Sequence, residues 1–279
     1  MIEIPASVSL QNSHWFLSRS DFFAPTGKTA VLRLHPKWVH IEPFGLAMLA
    51  AWGRWCYRNG INIEVENLGR TADYVWRMHL FDYLGVNYTP NRTEREESGR
   101  FLPIIQVKNG TDIRGVIGSI SALLHLQNNP ESLAAVQYSI SELLRNVIEH
   151  SGSPDGAFVC AHNFATAKKS RVTIAVADCG IGIREHLGYA YPAALEDDSA
   201  AIPLAMQPGI TGARPGLYGT PDNAGAGLFI TRSIAKGSGG YFLVLSGNAC
   251  YRLRQARNPD EQLELPLDPI SESSRYVEI

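Results

Sequence analysis

Residues 131–150, ESLAAVQYSISELLRNVIEH, decide how the second half of the chain folds. Leu133, Val136, Ile140, Leu143, Leu144, Val147 and Ile148 recur at helical spacing, which predicts one helix from Glu131 to His150 with these side chains facing inward. Glu142, Asn146 and His150 follow one another at one-turn intervals and share another face. A carboxylate there can orient or deprotonate a hydroxyl, the Asn146 amide oxygen can help hold magnesium, and His150 can meet phosphate. Such a row is equally the solvated face of an amphipathic helix, and Arg145 and Glu149 read as surface residues. The helix alone leaves both readings open.

Downstream, a turn over 151–156 leads to strand candidates Ala157–Ala161 and Val172–Ala177. The second ends in Asp178-Cys179-Gly180-Ile181-Gly182, which can aim an acid into a pocket and let backbone approach a ligand. An aspartate there can accept from the exocyclic amine of adenine, whereas Cys179 has no histidine partner and reads as packed. From Asp178 to Gly227 glycines and prolines recur without a period, which predicts a long mobile or functional loop with room for short helices inside it. Asp222-Asn-Ala-Gly225-Ala-Gly227 then opens a helix from Leu228 to Ala235, where first-turn N–H groups can bind phosphate. Strands Tyr241–Leu245 and Ala249–Leu253 can form a hairpin through Ser246-Gly247-Asn248.

Upstream, strand Thr29–Leu34, helix Glu42–Arg58, strand Ile61–Val65 and helix Ala72–Leu84, capped by Thr71, predict a small α/β layer. A polar excursion over 88–100, a strand Phe101–Val107 and a helix from Asp112 follow. The expected domains are 1–110, 111–258 and a C-terminal extension, 259–279.

The 279 residues are 45% hydrophobic and 19% charged, enough apolar material for a core and too much for general disorder. A net charge of −2 and the lack of a basic-aromatic stripe give no nucleic-acid signal. Cys56, Cys160, Cys179 and Cys250 lack zinc-ligand spacing and read as structural thiols of a reducing compartment. No secretion signal or lipid-spanning stretch stands out, so a cytoplasmic protein away from membranes is expected.

Together ELLRNVIEHS, DCGIG and NAGAGLFIT resemble the N, G1 and G2 boxes of the GHKL ATP-binding superfamily, closest to its histidine-kinase and anti-sigma serine-kinase branches. The resemblance covers roughly residues 113–255 and implies a two-layer α/β sandwich binding ATP and Mg2+. It implies Glu142 as catalytic base, Asn146 as magnesium ligand and Asp178 as the adenine acid. His150, Gly180, Gly182, Gly225 and Gly227 would complete the nucleotide site, with 183–224 as lid and Arg214 as a lid candidate for phosphate. Phe229 departs from the pattern, since glycine is common there. His125 reads as structural rather than as a phosphoacceptor. Residues 28–87 resemble a STAS-like module, though HIEPFG lacks the serine usually phosphorylated near its first helix.

The overall expectation is α/β, a small STAS-like module followed by a GHKL-type sandwich. The function expected is Mg-ATP-dependent serine/threonine phosphotransfer within a protein signalling partnership. The alternative is a nucleotide-controlled interaction module or slow ATPase without kinase activity. A homo-oligomer is left open.

Overall fold

A computed structural model describes residues 1–20, 22, 27–70, 72–90, 99–124, 129–165, 170–210 and 227–253. It is a mixed α/β fold with both parallel and antiparallel sheets. Two compact units are present: Met1–Asn128 with Ser153–Cys179, and Asn129–Gly152 with the described part of Gly180–Ile279.

The first unit begins with β1 (Ile2–Glu3), β2 (Ser7–Val8), α1 (Ser13–Ser18), β3 (Thr29–Arg33), β4 (His40–Ile41), α2 (Pro43–Arg58) and β5 (Asn62–Glu66). It continues through α3 (Ala72–Arg77), α4 (Leu80–Leu84), β6 (Phe101–Val107), α5 (Gly110–Leu124), β7 (Ala157–Ala165) and β8 (Ser170–Ala177). Strands β1, β3 and β5 make a parallel sheet, with Leu32 opposite Ile2 and Val65. Strands β6, β7 and β8 make an antiparallel one, with Val159 opposite Ile105 and Val176.

Helix α2 touches β5 and also β7 and β8, and twelve of its sixteen residues are buried. A helix apolar almost all round needs cover on more than one side. Cys160 on β7 points toward it and donates its Sγ–H to the Pro43 carbonyl at 3.2 Å. Helix α5 packs on β6 and β7.

The single helix expected over 72–84 is instead two. His79 is left-handed, at φ 63°, and the Met78 carbonyl accepts from the Ile104 N–H at 3.1 Å, so a bond to β6 replaces helix continuation. Thr71, the expected cap, lies outside the described residues, as does His125.

In the second unit α6 (Pro130–Asn146) begins at Asn129, whose side chain accepts from the Ser132 N–H at 3.1 Å. A π-helical turn, Val147–Ser151, follows and ends at Gly152. Then come α7 (Gly182–Gly188), a 3₁₀ turn (Pro192–Leu195), α8 (Asp198–Ala205), α9 (Gly227–Gly237), β9 (Phe242–Ser246) and β10 (Ala249–Leu253). The last two strands pair antiparallel, with Tyr251 opposite Val244.

In the described part of the region from Asp178 to Gly227, short helices interrupt the expected loop over 182–188, 192–195 and 198–205, and they have their own core. Leu187, Ala194 and Ala201 are buried together, and Ile202 and Met206 join Ala249, Tyr251 and Leu253. Segments this short, one with Pro203 inside a helix, carry too few turns to show a period. Residues 211–226 and 254–279 lie outside the described residues.

No helix among the described residues is long and apolar enough to cross a membrane.

Candidate functional site

Glu142 and Asn146 remain in α6 and share one face, as their spacing predicts. That face meets the first residue of α9. A Cβ added to Gly227 would lie 3.1 Å from Glu142 Cβ, 3.3 Å from Glu142 Oε2 and 3.4 Å from Asn146 Nδ2. The absence of a side chain thus brings α9 at Gly227 close against a carboxylate and a carboxamide. Thr231 donates its hydroxyl to the Gly227 carbonyl at 2.8 Å within the same turn. Both Glu142 and Asn146 are half-buried, between core and solvent.

Burial pushes the Glu142 carboxyl above the usual carboxylate range; the Arg145 charge opposes this and that of Glu149 adds to it. A carboxylate raised in this way is better suited to accept a proton near neutral pH.

His150 lies beyond the α-helical part of the row. Asn146 is the last α-helical residue and His150 falls in the π turn, where wider winding alters the side-chain register. Its ring stacks on His186 of α7, centroids 4.8 Å apart and planes inclined by 30°. Burial lowers the His186 pKa and the His150 charge lowers it further. No sequence signal singled out His186, because its spacing says nothing about which turn of another element it meets.

Gly180 and Gly182 border the same turn. Between them the Ile181 N–H donates to the Ser151 carbonyl at 2.8 Å, fastening the glycine segment to the end of the π turn. After Gly182, the Ile183 N–H donates to Ser246 Oγ at 2.8 Å. A buried acid also went unnoticed in the sequence: Asp198 accepts from the Asn248 N–H at 2.9 Å and pairs with Arg184 at 3.4 Å. These bonds tie α7 and α8 to the turn of the β9–β10 hairpin.

The structure therefore brings together Glu142, Asn146 and Gly227, and separately His150, His186 and the Gly180–Gly182 segment, all within the second unit. Asp178 directly follows β8, is half-buried and belongs to the first unit. Gly225 and Arg214 lie outside the described residues.

Among the described residues no group of three or more His, Cys, Asp or Glu is arranged to hold a metal ion. Magnesium has a weaker requirement, since one or two protein oxygens can suffice when phosphates and waters fill the remaining positions. The Asn146 amide fits that role.

Comparison with known proteins gives no matching family model, no similar curated protein and no similar solved structure.

Proposed function

We propose that this chain is a GHKL-like Mg-ATP-binding signalling protein with a STAS-like module in its N-terminal half. The observation that carries the reading is the seat of Gly227 against Glu142 and Asn146. There a glycine of α9 lies against the Asn146 carboxamide and a carboxyl of raised pKa, a combination that suits phosphoryl chemistry.

When bound, Mg-ATP supplies the phosphoryl group and the cation that offsets its charge. Asn146 holds and orients through its amide oxygen. Glu142 accepts the proton of an incoming serine or threonine hydroxyl, helped by the half-buried setting that raises its affinity for one. The first-turn N–H groups of α9 position phosphate oxygens, and His150 supplies a further polar contact. Asp178 keeps the adenine role, and Gly180, Gly182 and Gly225 the loop roles, that the sequence resemblance gives them. A protein partner would bring the hydroxyl.

The test is calorimetric titration with ATP in magnesium buffer. Binding is expected to need magnesium and to be lost in both Asn146→Ala and Asp178→Ala, while their circular dichroism and melting stay those of the parent chain. A folded parent chain that ignores Mg-ATP would end this reading. Transfer of labelled γ-phosphate to a protein partner then separates a kinase from a nucleotide-controlled interaction module or slow ATPase, which would bind without transfer.

A further inference from the structure

We propose that the first unit binds a phosphate group where β4, α3 and the β6–β7–β8 sheet meet, with Arg77 and His162 as its principal contacts. The inference stands apart from the nucleotide reading, because none of its residues is among those given a nucleotide role.

Strand register gathers the group. Phe101 on β6 pairs with His162 on β7, and Phe164 pairs with Arg171 on β8, so these four side chains share one face. It is the face of Cys160, turned toward α2. His40 from β4 closes on it, 5.6 Å from Phe164 and 6.2 Å from His162 between ring centroids, and stacks on Tyr74 of α3 at 5.7 Å. Two guanidiniums sit over its rings, Arg77 at 5.1 Å from Phe101 and Arg171 at 4.8 Å from Phe164.

The charges are unevenly paired. Glu42 accepts from Arg171 Nη2 at 2.7 Å and from the Leu10 N–H at 2.9 Å, so both of its oxygens are engaged. Among the described residues Arg77 has no ion-pair partner. Asp73, one turn before Arg77 on α3, accepts from the Tyr88 hydroxyl and is not within ion-pair distance of Arg77, so among the described residues the Arg77 guanidinium meets no carboxylate directly.

Hydrogen bonding points the same way. Arg77 Nε and His162 Nδ1 are buried polar atoms without a hydrogen-bond partner among the described residues, a state that buried nitrogens rarely keep. Both side chains flank Phe101, and burial, followed by the charges of His40, Arg77 and Arg171, makes His162 resist a second proton. An anion would satisfy the nitrogens and the charge at once. Donors arriving from separate elements suit the several lone-pair directions of a tetrahedral phosphate better than the plane of a carboxylate.

The experiment follows the histidine ring signals of the full-length chain by NMR at pH 7 and constant ionic strength. Inorganic phosphate, O-phosphoserine, acetate and chloride are titrated in turn. Phosphate is expected to shift the His162 signals saturably and to raise the pKa of that ring by about one unit. Arg77→Lys keeps the charge but removes the Nε–H, and should weaken the response about tenfold. O-phosphoserine acting like phosphate would identify a carried phosphate group as the ligand; phosphate acting alone would identify the free ion. The proposal is overturned if the His162 response does not saturate, if phosphate moves only His150 and His186, if acetate or chloride serves as well, or if Arg77→Lys binds unchanged. The titration of the parent chain decides even if that variant does not fold.

Discussion

Helices α2 and α6 are of similar length and both meet another helix at a glycine, yet the two glycines have different surroundings. On α2, a Cβ at Gly53 would lie 2.6 Å from the Tyr83 carbonyl oxygen and 2.8 Å from Leu84 Cδ2, backbone and apolar side chain of the α4 region. On the α6 side, the missing Cβ of Gly227 faces Glu142 and Asn146. Close approach on its own therefore says nothing about function. The chemistry of what is approached distinguishes a packing contact from a candidate site.

The largest effect should fall on the packing contact. Gly53→Ala gains helix propensity worth at most about 1 kcal/mol. It drives a methyl into a carbonyl that cannot rotate away, so we expect a net loss of about 3 kcal/mol. Chemical denaturation of the variant reads this directly. A stability equal to the parent chain would remove the distinction drawn between the two glycines.

Acid should also act unequally on the two units. Burial, then the charges of His40, Arg77 and Arg171, bring the His162 pKa down to about 4 from an ordinary 6.5. Between those values the unfolded chain binds the proton more readily, so stability is full above pH 6.5 and falls as the pH drops toward 4. The loss is roughly 2 kcal/mol after allowance for solvent screening around a half-buried ring. His162→Phe should flatten the pH dependence of first-unit unfolding in phosphate-free buffer, and an unaltered slope would count against the cause given.

The site glycine should show a smaller effect, on binding rather than on folding. Gly227→Ala meets a Glu142 side chain that can shift by a few tenths of an ångström, so stability should change by less than about 1 kcal/mol. On the proposed reading, Mg-ATP affinity should fall about tenfold, because α9 at Gly227 is held away from Asn146. Calorimetry and thermal melting of the same sample separate the two quantities. Loss of stability with intact affinity would make Gly227 a second Gly53.

The sequence revealed these regions unevenly. The period of Leu133 through Ile148 was enough to find α6 and to place Glu142 and Asn146 on one face, and the alternation of Ile61, Ile63 and Val65 was enough for β5. Two-residue strands such as β1, β2 and β4 have no period to read. The break at His79 depends on Ile104, which is distant in sequence and takes the Met78 carbonyl. The helices of 182–210 are held by residues of the β9–β10 hairpin and by Asp198, partners that local spacing does not disclose. The π winding after Asn146, in which His150 falls, is a local change that a 3.6-residue period hides.

Glu142 offers the finest test of the contrast, because removing a charge there should affect stability and chemistry in opposite directions. Burial raises its pKa, so the folded chain holds the proton more readily than the unfolded one. That contribution favours folding at low pH and is lost as the pH rises through the ordinary value and then the raised one. At neutral pH the ionised carboxylate therefore costs stability, although its partial exposure and the nearby Arg145 keep the cost small. Glu142→Gln should consequently be more stable than the parent chain by about 0.3 kcal/mol at pH 7, with the gain vanishing in acid. Any phosphotransfer or ATP hydrolysis should fall by about a hundredfold or more, since the amide cannot accept the hydroxyl proton. A carboxylate kept only to start α9 would show the reverse, with stability lost on substitution and turnover unchanged, and melting curves beside turnover assays distinguish the two.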